Sequence, residues 1–362
     1  MNRIFLLTTC FSFLLISACK QKPKGIETGD GYFISTQSQT DQRVKDLGMD
    51  KPSENASYIL DKSKLTIPQS DHHIDNRSEF KADPESEWII NITLSDGAPL
   101  FEKSKLNEIF DLDWRKNFAA ADIYGFAPEK NRWTYATAGK GPGKYTKLQV
   151  GVSLLQVFDP EKPVFDSALL DKYLAKIQEK LKAYAAQITP AEPVTDALAK
   201  AKLLVELKQQ FEVDEVLILK ADKTFKGMDV WDVLQCTGLK WGDGDLFHWE
   251  NQKSEYGDES LFSVGTNTNP GYFLPENIKE GNMNPTDLVF YYSVPRSAAP
   301  VNIFDAMLNA IKYCQKRLGG KILNANGSPF NEADERNRLK ALVNSMKQKG
   351  INPGSVKALT IF

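Results

Sequence analysis

Short apolar runs recur along the chain from residue 85 onward. WIINITL (88–94), KLQVGVSLLQVF (147–158), EVLILKA (215–221) and DLVFYYSVP (287–295) predict strands. Alternation within VGVSLLQVF and LVFYYSVP leaves one sheet face for a core and the other open. ADIYGFAPEKNRWTYATAG (121–139) predicts a hairpin across a polar turn, and DLFHWEN (245–251) with SLFSVGT (260–266) predicts a strand pair. Helical spacing appears between these runs. SKLNEIFDLDW (104–114) places Leu106, Ile109 and Phe110 on one side, and residues 164–185 place Leu169, Tyr173, Ile177 and Leu181 on one stripe. Further helices are expected after Thr189-Pro190 to about Gln210, over 228–239, over 302–318 and within 328–350. VKALTIF (356–362) predicts a closing strand.

The pattern occurs twice at a nearly fixed distance. Phe165-Asp166 matches Phe304-Asp305, 139 residues on (304 minus 165). Pro190 matches Pro329, Leu203 matches Leu342, and Lys208-Gln209 matches Lys347-Gln348 at the same offset. A constant offset through two helices and their connection points to a tandem repeat. Each copy reads as strand, helix, hairpin, strand, helix, helix, with proline expected to start the last helix. The expected class is α+β: two tandem domains, each a mainly antiparallel sheet with helices packed on one face, as a split β-α-β arrangement.

The first part of the chain differs. Residues 4–18 (IFLLTTCFSFLLISA) are apolar but too short for a spanning helix, which needs about 20 residues. They suit a signal-peptide core, follow the basic start MNR, and end at Ile16-Ser17-Ala18-Cys19. That tetrapeptide resembles a bacterial lipobox, which implies cleavage after residue 18 and lipid on Cys19, holding the protein at a membrane and facing away from the cytoplasm. The rival is an uncleaved anchor: Lys20, Lys22 and Lys24 would then leave the body in the cytoplasm. Residues 19–84 are polar, without a sustained apolar period, and are expected to be a flexible tether. The expected divisions are therefore 1–18 signal, 19–84 tether, 85–211 first repeat and 212–362 second repeat.

Composition narrows the chemistry. The 362 residues are 41% hydrophobic and 25% charged, with 45 basic against 47 acidic residues. A net charge of −2 gives no general attraction to nucleic acid. Beyond Cys10 and Cys19 only Cys236 and Cys314 remain; each falls on an apolar helical stripe and is expected to be a buried thiol. His72 and His73 lie in the tether, and His248 in a strand among aromatics. GKGPGKYT (139–146) lacks phosphate-loop spacing, Asp243 and Asp245 lack the further ligands of a calcium loop, and no zinc spacing occurs. No nucleophile setting of the G-x-S-x-G kind is present. The expectation is a non-enzymatic protein with no cofactor, no metal and no small-molecule substrate, whose partner is a peptide or protein.

Ordered motifs in the second repeat carry a resemblance. Trp241-Gly242-Asp243-Gly244-Asp245-Leu246-Phe247-His248, Leu261-Phe262-Ser263, Pro270-Gly271-Tyr272-Phe273-Leu274-Pro275, Val294-Pro295, Phe304, Met307, Leu308 and Gly319-Gly320-Lys321-Ile322-Leu323 occur in sequence. Over roughly 213–350 the chain resembles the C-terminal domain of ZipA, a bacterial division protein that binds the tail of FtsZ. The resemblance implies ZipA-like domains, the first copy being the weaker match. It implies a shallow apolar groove on the exposed sheet face, lined by Val216, Gly244, Gly265, Asn267, Val289 and Tyr291. Gly244 and Asn267 stand where the best-known members carry methionine. Two functions follow as expectations. One is a lipid-anchored protein outside the cytoplasm that binds a peptide through the sheet face. The other is an inner-membrane division tether whose domain binds the FtsZ tail in the cytoplasm at the septum.

Overall fold

Two antiparallel sheets, each with one sealed face, organise residues 51–362. The computed structural model describes residues 26–27, 33–34, 37–67, 80–139, 142–251 and 256–362. The lipobox and Cys19, and His72 with His73, lie outside the described residues. The chain divides into two compact units, 1–50 and 51–362. In the first, Ile26–Glu27 pairs with Phe33–Ile34, and Gln37–Asp46 forms a helix.

The first sheet begins with β1 (Glu87–Leu94). Two short helices follow, α1 (Lys103–Ile109) and α2 (Leu112–Asn117), the second capped where Asp111 Oδ1 accepts the Trp114 N–H at 2.9 Å. Then come β2 (Ala121–Ala127), β3 (Arg132–Tyr135), β4 (Lys147–Ser153), α3 (Ser167–Lys180), β5 (Ala186–Pro190) and α4 (Val194–Phe211). The strand order is β3-β2-β4-β1-β5. Trp88, Ile90 and Ile92 alternate onto one face of β1 and are fully buried, as are Leu170 and Ile177 on α3 and Ala197 and Ala201 on α4. Trp88 Nε1–H donates to the Glu192 carbonyl at 3.1 Å, tying the sheet to the start of α4.

The second sheet has β6 (Asp214–Lys220), α5 (Gly227–Cys236), β7 (Lys240–Trp241), β8 (Phe247–Glu250), β9 (Ser260–Gly265), α6 (Pro275–Lys279), β10 (Asp287–Ser293), α7 (Pro300–Leu318), β11 (Lys321–Asn324) and α8 (Glu332–Gln348), before α9 (Val356–Ile361). Its order is β7-β8-β9-β10-β6-β11, antiparallel throughout. α7 packs on β6, β9 and β11 through the stripe Ile303, Phe304, Met307, Ile311 and Cys314, all fully buried. Trp231 meets Phe247 edge-on at 4.9 Å, and Trp241 Nε1–H donates to the Phe273 carbonyl at 3.1 Å. Gly320, at φ +88°, brings the chain from α7 into β11 so closely that a Cβ would lie 2.5 Å from the Lys220 carbonyl.

The α+β class and helix-covered antiparallel sheets agree with the sequence pattern, and several details differ. Strand β5 intervenes between α3 and α4, and β11 between α7 and α8, each at a sheet edge. Pro190 ends β5 opposite Ile90, and Pro329 bridges Leu323, so neither starts a helix; proline is tolerated there because an edge strand needs no further N–H. On α3 the buried residue is Leu170, while Leu169 faces out. Residues 154–157 leave β4 as one helical turn. The C-terminal VKALTIF is helical, because Ser355 caps it and Ala358 and Ile361 are buried at helical spacing. The two halves also connect their outer strands in opposite order. Outer β3 follows inner β2, whereas outer β8 precedes inner β9.

The expected tether, 19–84, is packed over two stretches. Ala56 and Leu60 are buried. Ser53 donates to Asp232 through its N–H (2.7 Å) and hydroxyl (2.6 Å), and Ala56 N–H donates to the Cys236 carbonyl at 2.9 Å. Arg317 on α7 links Glu54 (3.1 Å) and Asp232 (2.8 Å). Few apolar residues are involved, which is why no periodicity announced the contact. Residues 80–86 also lie on the protein, with Ala82 and Ser86 buried.

Candidate peptide-binding face

The face of the second sheet opposite α7 is built by alternation. On β6, Glu215, Leu217 and Leu219 are buried, so Val216 and Ile218 project the other way. On β10, Leu288, Phe290 and Tyr292 are buried, and Val289 and Tyr291 project with Val216 and Ile218. Register then sets two rows across the sheet. Leu323, Ile218, Val289 and Gly265 form one. Val216, Tyr291, Ser263 and His248 form the next. Except for the buried Gly265, these residues are half-buried.

Of the six residues expected in the groove, Val216, Gly265, Val289 and Tyr291 are thus brought together. Gly244 and Asn267 lie in the loops that border β8 and β9, and both are exposed. A Cβ on Gly265 would lie 3.1 Å from Leu246 Cδ2, and one on Gly244 3.6 Å from Leu246 Cδ1. Leu246 therefore packs over both glycines and supplies apolar surface where neither glycine has any. Asn267 contributes its backbone: its N–H donates to Asp287 Oδ1 at 2.7 Å. Asp287 also accepts from Lys220 Nζ at 3.0 Å and Thr266 Oγ1 at 3.2 Å, and these donors hold its carboxyl below the ordinary range although burial opposes them. The loop beside the face is thereby pinned to β10.

Ile218, Leu246, Ser263 and Leu323 were not among the residues expected at this face. Ile218 was legible in the alternation of EVLILKA, two residues from Val216. Leu323 was not, because its strand is four residues long. At the rim, His248 Nε2–H donates to the Asp243 carbonyl and Nδ1 meets the Ser263 hydroxyl, both at 2.8 Å. Its ring is held as a wall of the face. Burial first, then the charge of Asp214, raises the Tyr291 phenol, so it stays a neutral hydroxyl.

Chemically, this is a shallow apolar strip with a phenol, an imidazole and a serine along one side. It suits an extended or helical peptide that offers a few apolar side chains. Among the described residues no group of three or more His, Cys, Asp or Glu is placed to hold a metal ion. Cys236 and Cys314 are both buried and unbonded, and burial raises the Cys314 thiol.

The fold and face define an α+β domain with one half-covered sheet surface. Residues 215–341 match the family model for ZipA, C-terminal FtsZ-binding domain. The chain is similar to the cell division protein ZipA of Shewanella frigidimarina, 26% identical over 140 residues, which covers 38% of this chain and 39% of that protein. It is similar to that of Ectopseudomonas mendocina, 29% identical over 139 residues (37% of this chain, 50% of that one). It is also similar to that of Pseudomonas aeruginosa (strain LESB58), 31% identical over 114 residues (30% and 38%). The chain therefore spans half or less of the length of these relatives.

Proposed function

We propose that the second sheet binds the C-terminal tail of FtsZ, and that the chain is a division tether. The apolar run 4–18 would then hold it at the inner membrane, with the folded part in the cytoplasm. The observation that carries this reading is the half-buried apolar strip Leu323, Ile218, Val289, Val216 and Tyr291, lying within the residues that match the FtsZ-binding family. Leu246 takes over part of the apolar contact that methionines make in the best-known members. The first sheet is a diverged companion: it shares the same succession of strand positions, and its outer strands are joined in the other order. The reading is tested by titrating a synthetic FtsZ tail onto the protein, with Tyr291→Ala as control. Saturable binding that weakens in the variant supports it; no binding at high micromolar peptide removes it.

A second reading rests on Ile16-Ser17-Ala18-Cys19. Lipid on Cys19 would place the same domains outside the cytoplasm, where the face would hold a different peptide. Labelled palmitate uptake that disappears in Cys19→Ala, together with protease access to the folded part in intact spheroplasts, favours this reading over the first. Among the described residues no helix is long and apolar enough to cross a membrane.

A further inference from the structure

The corresponding face of the first sheet is covered by the chain itself. Phe80 N–H donates to the Trp133 carbonyl on outer strand β3 at 3.1 Å, and its ring lies 5.2 Å from Tyr135. Ala82 is buried in a cluster with Ile89 and Tyr124, and Trp133 and Tyr135 pack against it. Tyr124 and Tyr135 are stacked at 5.2 Å. The segment ends at Glu87, whose Oε2 accepts the Asp83 N–H at 2.5 Å and whose Oε1 accepts from the Tyr124 hydroxyl at 3.3 Å. Asp83 also accepts from Ser86 Oγ (2.9 Å) and Glu85 N–H (3.0 Å), which fixes the turn. Residues 80–86 thus cross from β3 to β1 over aromatic surface, and the Glu87 carboxyl is the buried group among their fastenings.

That carboxyl is sealed. Glu87 is 8% exposed and lies over Gly151, where a Cβ would be 2.5 Å from Oε1. Gly151 pairs with Asp122 on β2, so Glu87 and Asp122 flank the glycine on one face. Burial raises both carboxyls, that of Glu87 to about 7, with the charges of Asp122 and Asp83 acting in the same direction. The nearby cations are engaged elsewhere. Lys200 on α4 pairs with Glu192 at 2.5 Å and donates to the Pro84 carbonyl at 2.8 Å; Lys357 on α9 pairs with Glu85 at 3.6 Å. Lys81 lies at the surface.

We propose that residues 80–86 are a pH-released strap, held over the aromatic face of the first sheet while Glu87 is protonated and loosened when it ionises beside Asp122 and Asp83. An ionised Glu87 in the closed site lacks water and faces two like charges, which together outweigh the Asp83 N–H and Tyr124 hydroxyl that it accepts. Opening the strap admits water and returns the group towards its ordinary range. The strap therefore opens more readily as pH climbs through that range to about 7, and the effect levels off above. Release uncovers Tyr124, Tyr135 and Ile89 on the side that in the second sheet is the candidate binding face.

Hydrogen exchange of the Phe80 and Asp83 amides tests this, measured from about pH 5 to about pH 8 and corrected for intrinsic rates, with β10 amides as reference. One proton linked to opening gives a loss of protection of at most about tenfold per pH unit, so a fall of up to about 100-fold is expected across the window while β10 is unchanged. Glu87→Gln keeps the size and accepts the same N–H, and should hold the strap closed at every pH. Protection in the wild type that does not change with pH overturns the proposal. So does a slope that persists in Glu87→Gln, or loss of strap and β10 protection together. The wild-type measurement decides even if the variant does not fold.

Discussion

Tyr291 is the side chain on which the proposed binding face most depends. It lies in register between Val216 and Ser263, half-buried, so its ring contributes contact area without being part of the sealed core. Tyr291→Ala should weaken FtsZ-tail binding by about tenfold or more, as central aromatic anchors do, with little change in unfolding midpoint. Leu246→Ala should also weaken it, because the glycines beneath cannot fill the gap. Calorimetric titration with a parallel denaturant melt checks both, and a variant that melts early without losing affinity would contradict the assignment. Glu87 gives a prediction about stability. Its folded-state value is raised from the ordinary 4.5 to about 7, so the native protein holds more protons than the unfolded chain between those values. The contribution is therefore greatest at the acidic end, declines as pH rises through the window, and is gone above it. The difference between wild type and Glu87→Gln should change by no more than about 3 kcal/mol between about pH 4 and about pH 8. At this scale Val216, Val289 and Tyr291 came from the family resemblance, and strand alternation places all three on the face opposite α7. Leu246 and Glu87 were not legible, because their roles come from a loop folding over two glycines and from a carboxyl closing beneath a strap.

Strands and long helices were the most readable elements, since α7 and the sheet cores carry unbroken apolar periods. The edge pieces were harder to read. β5 and β11 are short and half-buried, and Pro190 at the end of β5 and Pro329 beyond β11 resemble helix starts until the pairing partner is known. The two straps are polar in sequence and held mostly by polar contacts such as Ser53 with Asp232, which leave no period to detect. Another element-level tie is the pair between Glu215 on β6, 1% exposed, and Arg338 on α8, at 2.6 Å. Burial already raises the Glu215 carboxyl to about 8 against the pull of Arg338, and Arg338→Ala would leave this buried group without its cation partner. A loss of about 2–4 kcal/mol is expected, read as a lower denaturation midpoint. Arg338→Met should cost no less, since a longer apolar side chain does not replace the charge. Asn331, which caps α8 through Ala333 and Asp334 N–H, is a smaller support, and Asn331→Ala should cost about 1 kcal/mol.

Among the described residues, unit 51–362 presents one sheet face that no segment crosses and one crossed by its own chain. Two segments of that unit that precede the first sheet are packed against the rest of it. Residues 53–60 fasten to α5 and α7, and residues 80–86 to the first sheet. The central claim is that the apolar strip on the second sheet receives an FtsZ tail. The most direct measurement is the affinity of the full chain, in detergent or lipid discs, for a fluorescent FtsZ C-terminal peptide, alongside Tyr291→Ala. Saturable binding in the micromolar range that weakens about tenfold in the variant is expected; binding that is absent, or equal in both proteins, would rule the proposed face out.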